Sequence, residues 1–132
     1  MTVSAMVEQS CVLDAQPLQF GVLASDAAGA LAASSLAVSC TPGTAFVVTM
    51  DGGQYASAGE RRMANAAATS FLAYELYSDA ARTRPWGATG SEGVSATMTN
   101  AAAMRLPVYG RIETASAAGG EYTDLVTVTV SF

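Results

Sequence analysis

Residues 126–132 of the chain read VTVTVSF, a stretch that alternates strictly between apolar and hydroxyl side chains. Successive side chains of an extended strand point to opposite faces, so one face collects all the apolar residues. These are Val126, Val128, Val130 and Phe132. β-Branched and aromatic residues suit a pleated, half-buried surface. The stretch therefore predicts a strand with one apolar face, and an apolar strand at the edge of a sheet is usually either protected or used for binding.

The same alternation recurs along the chain. Apolar residues at every second position predict further strands within 3–7, 18–22, 36–40, 46–50, 72–76 and 104–112. Turn-rich segments separate them at 51–60, 78–95 and 114–121. The alanine-rich stretch 27–37 is interpreted as a loop that enters a strand, because Gly29 and two serines interrupt it. About seven short strands joined by such loops predict an antiparallel β-sandwich.

Length and charge narrow the class of protein. The chain has 132 residues, enough for one domain with one core. Its net charge of −5 argues against a nucleic-acid or anionic-membrane partner. No apolar run reaches the roughly 18–20 residues of a transmembrane helix, so we expect no membrane span.

The two cysteines, Cys11 and Cys40, predict one disulfide. Cys40 lies in phase with Leu36 and Val38, so its sulfur is expected to point into the core. A disulfide implies an oxidising compartment, whereas two buried free thiols in a cytosolic protein are the alternative.

The residue types that most enzymes need are missing. Without histidine, the usual nucleophile–base pairs and zinc ligand sets are not available. The carboxylates are scattered over separate segments, which does not suggest a glycosidase pair. The run Asp51-Gly52-Gly53 is interpreted as a hairpin turn, since it lacks the repeated acidic ligands of a calcium loop. We therefore expect no enzyme activity, no cofactor and no metal site.

Three clusters remain without a catalytic interpretation. Arg61 and Arg62 are expected at a solvated strand edge, pairing with Glu60 or Glu75, with a contact to another subunit as the alternative. The loop residue Trp86 is expected to plug one end of the sandwich or, together with Tyr55, to contact a ligand. The hydroxyl of Tyr122 is expected to hydrogen-bond to the backbone at a strand corner.

The order of the motifs along the chain resembles the spore coat protein U family, which includes subunits of archaic chaperone–usher pili. The resemblance begins at Cys11 and runs to residue 128. Its motifs are Pro17-Leu18-Gln19-Phe20-Gly21, Val38-Ser39-Cys40, Gly52-Gly53, Arg61-Arg62-Met63, the stretches 72–77, 86–87 and 108–112, and 122–128. Each motif alone is weak, but their succession is specific.

The resemblance implies an immunoglobulin-like antiparallel sandwich that lacks its final strand. A periplasmic chaperone fills the gap before assembly, and the N-terminal extension of the next subunit replaces it in the fibre. The groove would be bordered by the last strand, with Val126, Val128, Val130 and Phe132. The implied partners are identical or homologous subunits arranged head to tail, the chaperone and an outer-membrane usher.

The chain is accordingly divided into a donor segment, 1–10, and a sandwich domain, 11–132. Val3, Ala5 and Val7 form the face expected to insert into a neighbouring subunit. Only ten residues precede Cys11, which is short for a donor arm, and residues 3–9 could instead be the domain's own first strand. Residues 1–10 do not have the pattern of a signal peptide. The family resemblance nevertheless implies export through the periplasm to the cell surface. We therefore expect the numbering to begin at the mature terminus or at an added Met1.

The resulting hypothesis is a structural subunit of a secreted fibre that supports adhesion and biofilm formation. Two alternatives stay open. One is a tip adhesin or other surface-binding module that uses its end loops, and the other is a coat protein that forms no fibre.

Overall fold

The computed structural model describes residues 1–21, 29–113 and 120–132. The regular secondary structure of this part of the chain is almost entirely β-strand, which confirms the predicted fold class. Its eight strands are β1 (Cys11–Ala15), β2 (Leu31–Cys40), β3 (Ala45–Met50), β4 (Arg61–Ala64), β5 (Phe71–Tyr77), β6 (Val94–Thr97), β7 (Met104–Ile112) and β8 (Val128–Ser131). A short 3-10 turn occupies Gly90–Glu92.

The strands form two sheets of unequal size. One has five strands in the order β1-β2-β7-β5-β4, and the other has three in the order β6-β3-β8. Every neighbouring pair is antiparallel. The two sheets pack as an immunoglobulin-like sandwich with the core between them.

The core is built by the alternation seen in the sequence. Val38 on β2 and Val48 on β3 are completely buried, and their neighbours on either side in the chain are not. Ile112 on β7 and the loop residues Trp86 and Met98 are also almost fully enclosed. Each sheet thus contributes every second side chain to the core.

Several predicted strand positions are wrong. Residues 3–7 form no strand, and residues 18–20 form none either, whereas Cys11–Ala15 and Val94–Thr97 are strands that the pattern did not indicate. Leu18 and Phe20 nevertheless pack against the core. Their side chains lie against Gly110, and a Cβ added to this glycine would be 3.0–3.3 Å from them. Val22 lies outside the described residues.

The predicted disulfide between Cys11 and Cys40 is confirmed. The two cysteines lie directly opposite each other on β1 and β2. The bond therefore fastens an end strand of the larger sheet to its only neighbour among the described strands.

Candidate functional site

Two end strands of the sandwich, β1 and β8, lie side by side. Among the described strands, β1 pairs only with β2, and β8 pairs only with β3. The two strands belong to different sheets, and some of their Cα atoms lie within 8 Å of each other. One side of the sandwich is therefore bordered by two strand edges that have no partner in the described part of the chain.

The unpaired edge of β8 follows from its ladder with β3. The amide of Asp51 donates to the carbonyl of Thr127 at 3.0 Å. Hydrogen-bonded residues alternate along an antiparallel ladder, so Thr129 and Ser131 also face β3. The intervening residues Val126, Val128 and Val130 must direct their backbone N–H and C=O groups to the open side. Their side chains point inwards and are half-buried.

The edge of β1 has the same construction. The amide of Thr41 donates to the carbonyl of Ser10 at 2.9 Å, and the amide of Gln16 donates to that of Ser35 at 3.2 Å. Even-numbered residues of β1 therefore face β2, and Cys11, Leu13 and Ala15 direct their backbone groups outwards. Cys11 and Leu13 are half-buried and pack against the core.

We call the space between these two edges the open groove. Its walls are Cys11, Leu13, Val126, Val128 and Val130. Each of these residues combines a core-facing apolar side chain with backbone groups that have no ladder partner. Such a combination fits an extended polypeptide, which offers both a row of backbone groups and alternate side chains.

Two other strand edges of the sandwich are protected. The edge of β4 is covered at Ala64, which exchanges backbone hydrogen bonds with Thr123 at 2.9 Å in both directions. The part of β7 that extends beyond its pairing with β5 contains Pro107, which has no N–H to donate. β6 has four residues, of which Ser95 and Thr97 are exposed. Proline-containing or covered edges discourage strand addition, whereas the length of β6 equals that of β8 and does not distinguish the two.

The segment before β1 is extended and exposed. Residues 1–10 form no helix or strand and pair with none of the described strands, so the interpretation of residues 3–9 as the domain's own first strand is wrong. Val3 and Val7 are each 83% exposed. Exposed valines this close together carry a cost in water unless another surface covers them. We refer to residues 1–9 as the N-terminal arm.

The corner that leads into β8 is fixed by two carboxylates. Asp124 accepts a hydrogen bond from the hydroxyl of Tyr74 and another from the amide of Gln54 at 2.8 Å. Burial, and then the bond to Asp124, raise the pKa of Tyr74 far above its ordinary value. The second carboxylate, Asp51, accepts from the amide of Thr127 at 2.9 Å. The hydrogen bond predicted for Tyr122 remains a prediction.

The prediction of a solvated Arg61 is wrong, although its pairing with Glu75 is present. Arg61 is 5% exposed and forms an ion pair with Glu75. Its guanidinium also donates to the carbonyls of Asp51 at 2.8 Å and of Trp86 at 2.5 Å. A buried charge needs such a full set of partners. Arg62 lies 4.0 Å over the ring of Phe71 and donates to the carbonyl of Tyr55 at 2.9 Å.

Trp86 is part of the core of the sandwich. The side chain has no exposed surface, and its indole N–H donates to the carbonyl of Val48 at 2.8 Å. This burial agrees with the interpretation of Trp86 as a plug of the sandwich and not with a ligand contact. Tyr55 is half-exposed and packs against Phe71 with the ring centres 6.3 Å apart, so only Tyr55 stays available as a loop contact.

Sequence reasoning missed one wall of the groove. Residues 11–15 were not predicted as a strand, because the stretch is only five residues long and contains Asp14. Phe132 was expected in the groove with the three valines, and it is 59% exposed beyond the end of β8. Asp51 was interpreted only as a turn residue, because its bond to Thr127 spans 76 positions of the chain.

The described strands define an immunoglobulin-like sandwich in which β1 and β8 each have one unpaired edge. The described residues contain no helix long and apolar enough to cross a membrane. The chain belongs to the Spore Coat Protein U domain family, whose model matches residues 1–129. This family is structural, so the chain is not an enzyme.

Two known proteins illustrate the relationship. Protein U of Myxococcus xanthus is 35% identical over 105 residues, which cover 74% of this chain and 58% of that protein. A chain in the crystal structure of the CsuC–CsuE chaperone–tip adhesion subunit pre-assembly complex, from archaic chaperone–usher Csu pili of Acinetobacter baumannii, superposes with a TM-score of 0.75. The identity is 25%, over 96% of this chain and 40% of that chain. The present chain thus spans less than two thirds of either protein.

Proposed function

We propose that the chain is a structural subunit of a surface fibre of the archaic chaperone–usher type, assembled by strand donation. The open groove accepts an extended strand, and the N-terminal arm of another subunit supplies it. The observation that carries this proposal is the coincidence of free backbone groups and core-facing side chains at Val126, Val128 and Val130. An added strand would satisfy both at once.

The arm has the alternation that such a groove requires. If Val3, Ala5 and Val7 point inwards, they lie opposite residues of β8 that also point inwards. An antiparallel register then pairs Val3 with Val130 and Val7 with Val126. A shift by one residue would turn Thr2 and Ser4 into the core instead, so the register is strongly specified.

The energy of insertion comes from two sources. Burying two valines and an alanine contributes about 3–6 kcal/mol. Backbone bonds to β8 and β1 contribute about 1 kcal/mol each, because the edges are already formed by the fold. Together these terms favour association, although the arm must lose conformational entropy on binding.

The groove and the arm of one subunit are better suited to different partners than to each other. The arm leaves β1 at Ser10, whose carbonyl and amide are both held by Thr41. It contains neither glycine nor proline, so a tight turn back along β1 is not favoured. We therefore infer a second copy of this chain, or a homologous subunit, as the partner.

An unassembled subunit with an open apolar groove needs protection. A periplasmic chaperone that lends a strand would cover the same residues before assembly, and an outer-membrane usher would then exchange it for the arm. The disulfide fits passage through an oxidising compartment. Support comes from the similarity to a chain of a chaperone–subunit complex, and the expected location is the cell surface, with roles in adhesion and biofilm formation.

The decisive experiment compares oligomers of the full chain with those of two arm variants. Val3→Asp/Val7→Asp places charges on the inserting face and should leave only monomers in light scattering, because unpaired carboxylates would be buried. The matched control Thr2→Asp/Ser4→Asp carries the same charges on the other face and should still assemble. Equal assembly of all three proteins would contradict the proposal.

The two alternatives predict other outcomes of the same experiment. A tip adhesin does not donate its own arm, so the isolated chain would stay monomeric. The arm of a separate subunit, added as a peptide, would still bind its groove. A coat protein without fibres would associate, if at all, independently of Val3 and Val7. The similarity to a chain of a tip adhesion complex and to Protein U keeps these alternatives worth measuring.

A further inference from the structure

In the ladder between β3 and β8, a side-chain oxygen takes the place of a backbone carbonyl as the acceptor of one hydrogen bond. Asp51 donates its amide to Thr127, and the regular pattern would return a bond from the amide of Thr127 to the carbonyl of Asp51. That carbonyl is taken by Arg61, whose Nε and Nη2 lie 3.1 and 2.8 Å from it. The amide of Thr127 donates instead to Oδ1 of Asp51 at 2.9 Å.

The Asp51 carboxylate serves a second backbone group. Its Oδ1 also accepts from the amide of Gly53 at 2.9 Å. One oxygen therefore ties the turn after β3 to the start of β8. Arg61, which forms an ion pair with Glu75, donates to the backbone carbonyl of Asp51.

Asp124 makes the corresponding attachment on the other side of Val126. Its Oδ1 accepts from the amides of Gln54 at 2.8 Å and Leu125 at 2.9 Å, while Oδ2 accepts from the hydroxyl of Tyr74. Gly53 makes room for it, since a Cβ there would lie 2.1 Å from Oδ2 of Asp124.

These two carboxylates flank Val126, the first residue of the β8 wall of the groove. Asp124 precedes it by two positions, and Asp51 holds the residue that follows it. Neither carboxylate bonds to the free N–H or C=O of Val126 itself among the bonds described. The attachments hold the backbone on either side and leave that residue for a partner.

We propose that Asp51 and Asp124 are positioning residues for strand acceptance, which hold the start of β8 extended before any donor arrives. This inference rests on the proposed function of the open groove. A wall that is already in place spares an incoming strand the cost of ordering it. Loss of either attachment should therefore slow association of the donor strand more than it changes the fold.

The test measures binding of a peptide with the sequence of residues 1–10 to the full chain, with Val3→Asp/Val7→Asp present to block its own arm. Asp51→Ala should lower the association rate constant about tenfold, because the start of β8 must be ordered during binding. Asp51→Asn keeps an oxygen acceptor at the same place and should restore a rate within about threefold of the parent. Asp124→Ala should behave like Asp51→Ala.

The matched control is Asp79→Ala. Asp79 also holds a loop by accepting from backbone amides, those of Thr83 at 3.0 Å and Arg84 at 2.9 Å, and it does so far from β8 in the sequence. Its loss should leave the association rate unchanged even if the melting temperature falls. If Asp51→Ala does not fold, Asp124→Ala with the Asp79→Ala control carries the test.

The outcomes separate this inference from the proposal on which it rests. A parent protein that ignores the peptide overturns the proposed function and this inference with it. A parent that binds while the Asp51, Asp124 and Asp79 variants all associate at its rate overturns only the positioning role. Slow association confined to the Asp51→Ala and Asp124→Ala variants, with rescue by Asp51→Asn, supports it.

Discussion

Val128 combines the two properties on which the groove depends. Its side chain packs against the core, and its backbone groups face the open side. Thr129, the next residue, has the reverse arrangement: its side chain is exposed and its backbone pairs with Thr49. The contrast makes these neighbours a natural pair for mutation.

We expect Val128→Asp to destabilise the fold by about 3 kcal/mol, because a carboxylate without a partner would face the core. Thr129→Asp should change the free energy of unfolding by less than about 0.5 kcal/mol, since its side chain is exposed. Urea denaturation of both proteins measures the difference. Equal stability of the two variants would contradict the inward orientation of Val128.

Tyr74 gives the stability a dependence on alkaline pH. Burial and the bond to Asp124 raise its pKa above the ordinary value of 10.0, so the unfolded chain releases this proton before the folded chain does. The contribution of the neutral phenol is complete below pH 10 and is lost as the pH rises above it. The pKa of Tyr77 is raised as well, first by burial and then by its bond to Glu113.

We therefore expect the melting temperature to fall as the pH is raised above about 10, and to fall less steeply in Tyr74→Phe. Thermal unfolding followed by circular dichroism between neutral and alkaline pH provides the measurement. An identical slope in the variant and the parent would show that this hydroxyl is not held in its neutral form by the fold.

At the scale of elements, β1 is the wall of the groove that a disulfide links to the rest of its sheet. It has five residues and one neighbouring strand among those described, and the disulfide lies at its first residue. Closing a loop with a sequence separation of 29 contributes about 3–4 kcal/mol in the loop-entropy model.

Replacement of both cysteines by serine should thus lower the free energy of unfolding by about 3–4 kcal/mol. Because Cys11 is also part of the groove wall, binding of an arm peptide should weaken at temperatures where the variant is still folded. Isothermal titration calorimetry of folded variant and parent checks this. Unchanged affinity would show that the Cys11 end of β1 does not contact the incoming strand.

The elements also show what sequence patterns can and cannot specify. Alternation predicted the buried faces of β2, β3 and β7 because the opposite sheet of the same chain covers those faces. The same alternation at Val3, Ala5 and Val7 predicted a strand that this chain does not form alone. Period-two alternation records that a segment can be extended and half-buried, and it does not specify which molecule covers it.

The alternation of apolar and polar residues could not predict polar contacts between segments that are distant in the sequence. Arg61 follows a turn and reads as exposed, yet Glu75 and three carbonyl groups enclose it. Trp86 lies in a polar loop, yet the loop turns inwards and places the indole against β3. Both outcomes depend on segments that are distant in the sequence, and local residue preferences carry no information about them.

For the whole molecule, the two sheets of the sandwich differ in size, and the groove and the arm lie at different places on it. Five strands face three, the open groove lies where β1 and β8 meet, and the arm leaves from the start of β1. In the proposed function, the surface that accepts a strand and the segment that donates one are different parts of one chain. Their contact between copies would be heterologous, and such contacts generate open fibres when the rotation does not close a ring.

The central claim is that Val126, Val128 and Val130 have unpaired amides that an arm strand covers. Amide hydrogen exchange by NMR, on the Val3→Asp/Val7→Asp protein with and without the peptide of residues 1–10, tests it directly. We expect fast exchange at these three amides without the peptide and protection with it, while Thr127, Thr129 and Ser131 are protected in both states. Protection of Val128 and Val130 before the peptide is added, or exchange that the peptide does not slow, would contradict the account.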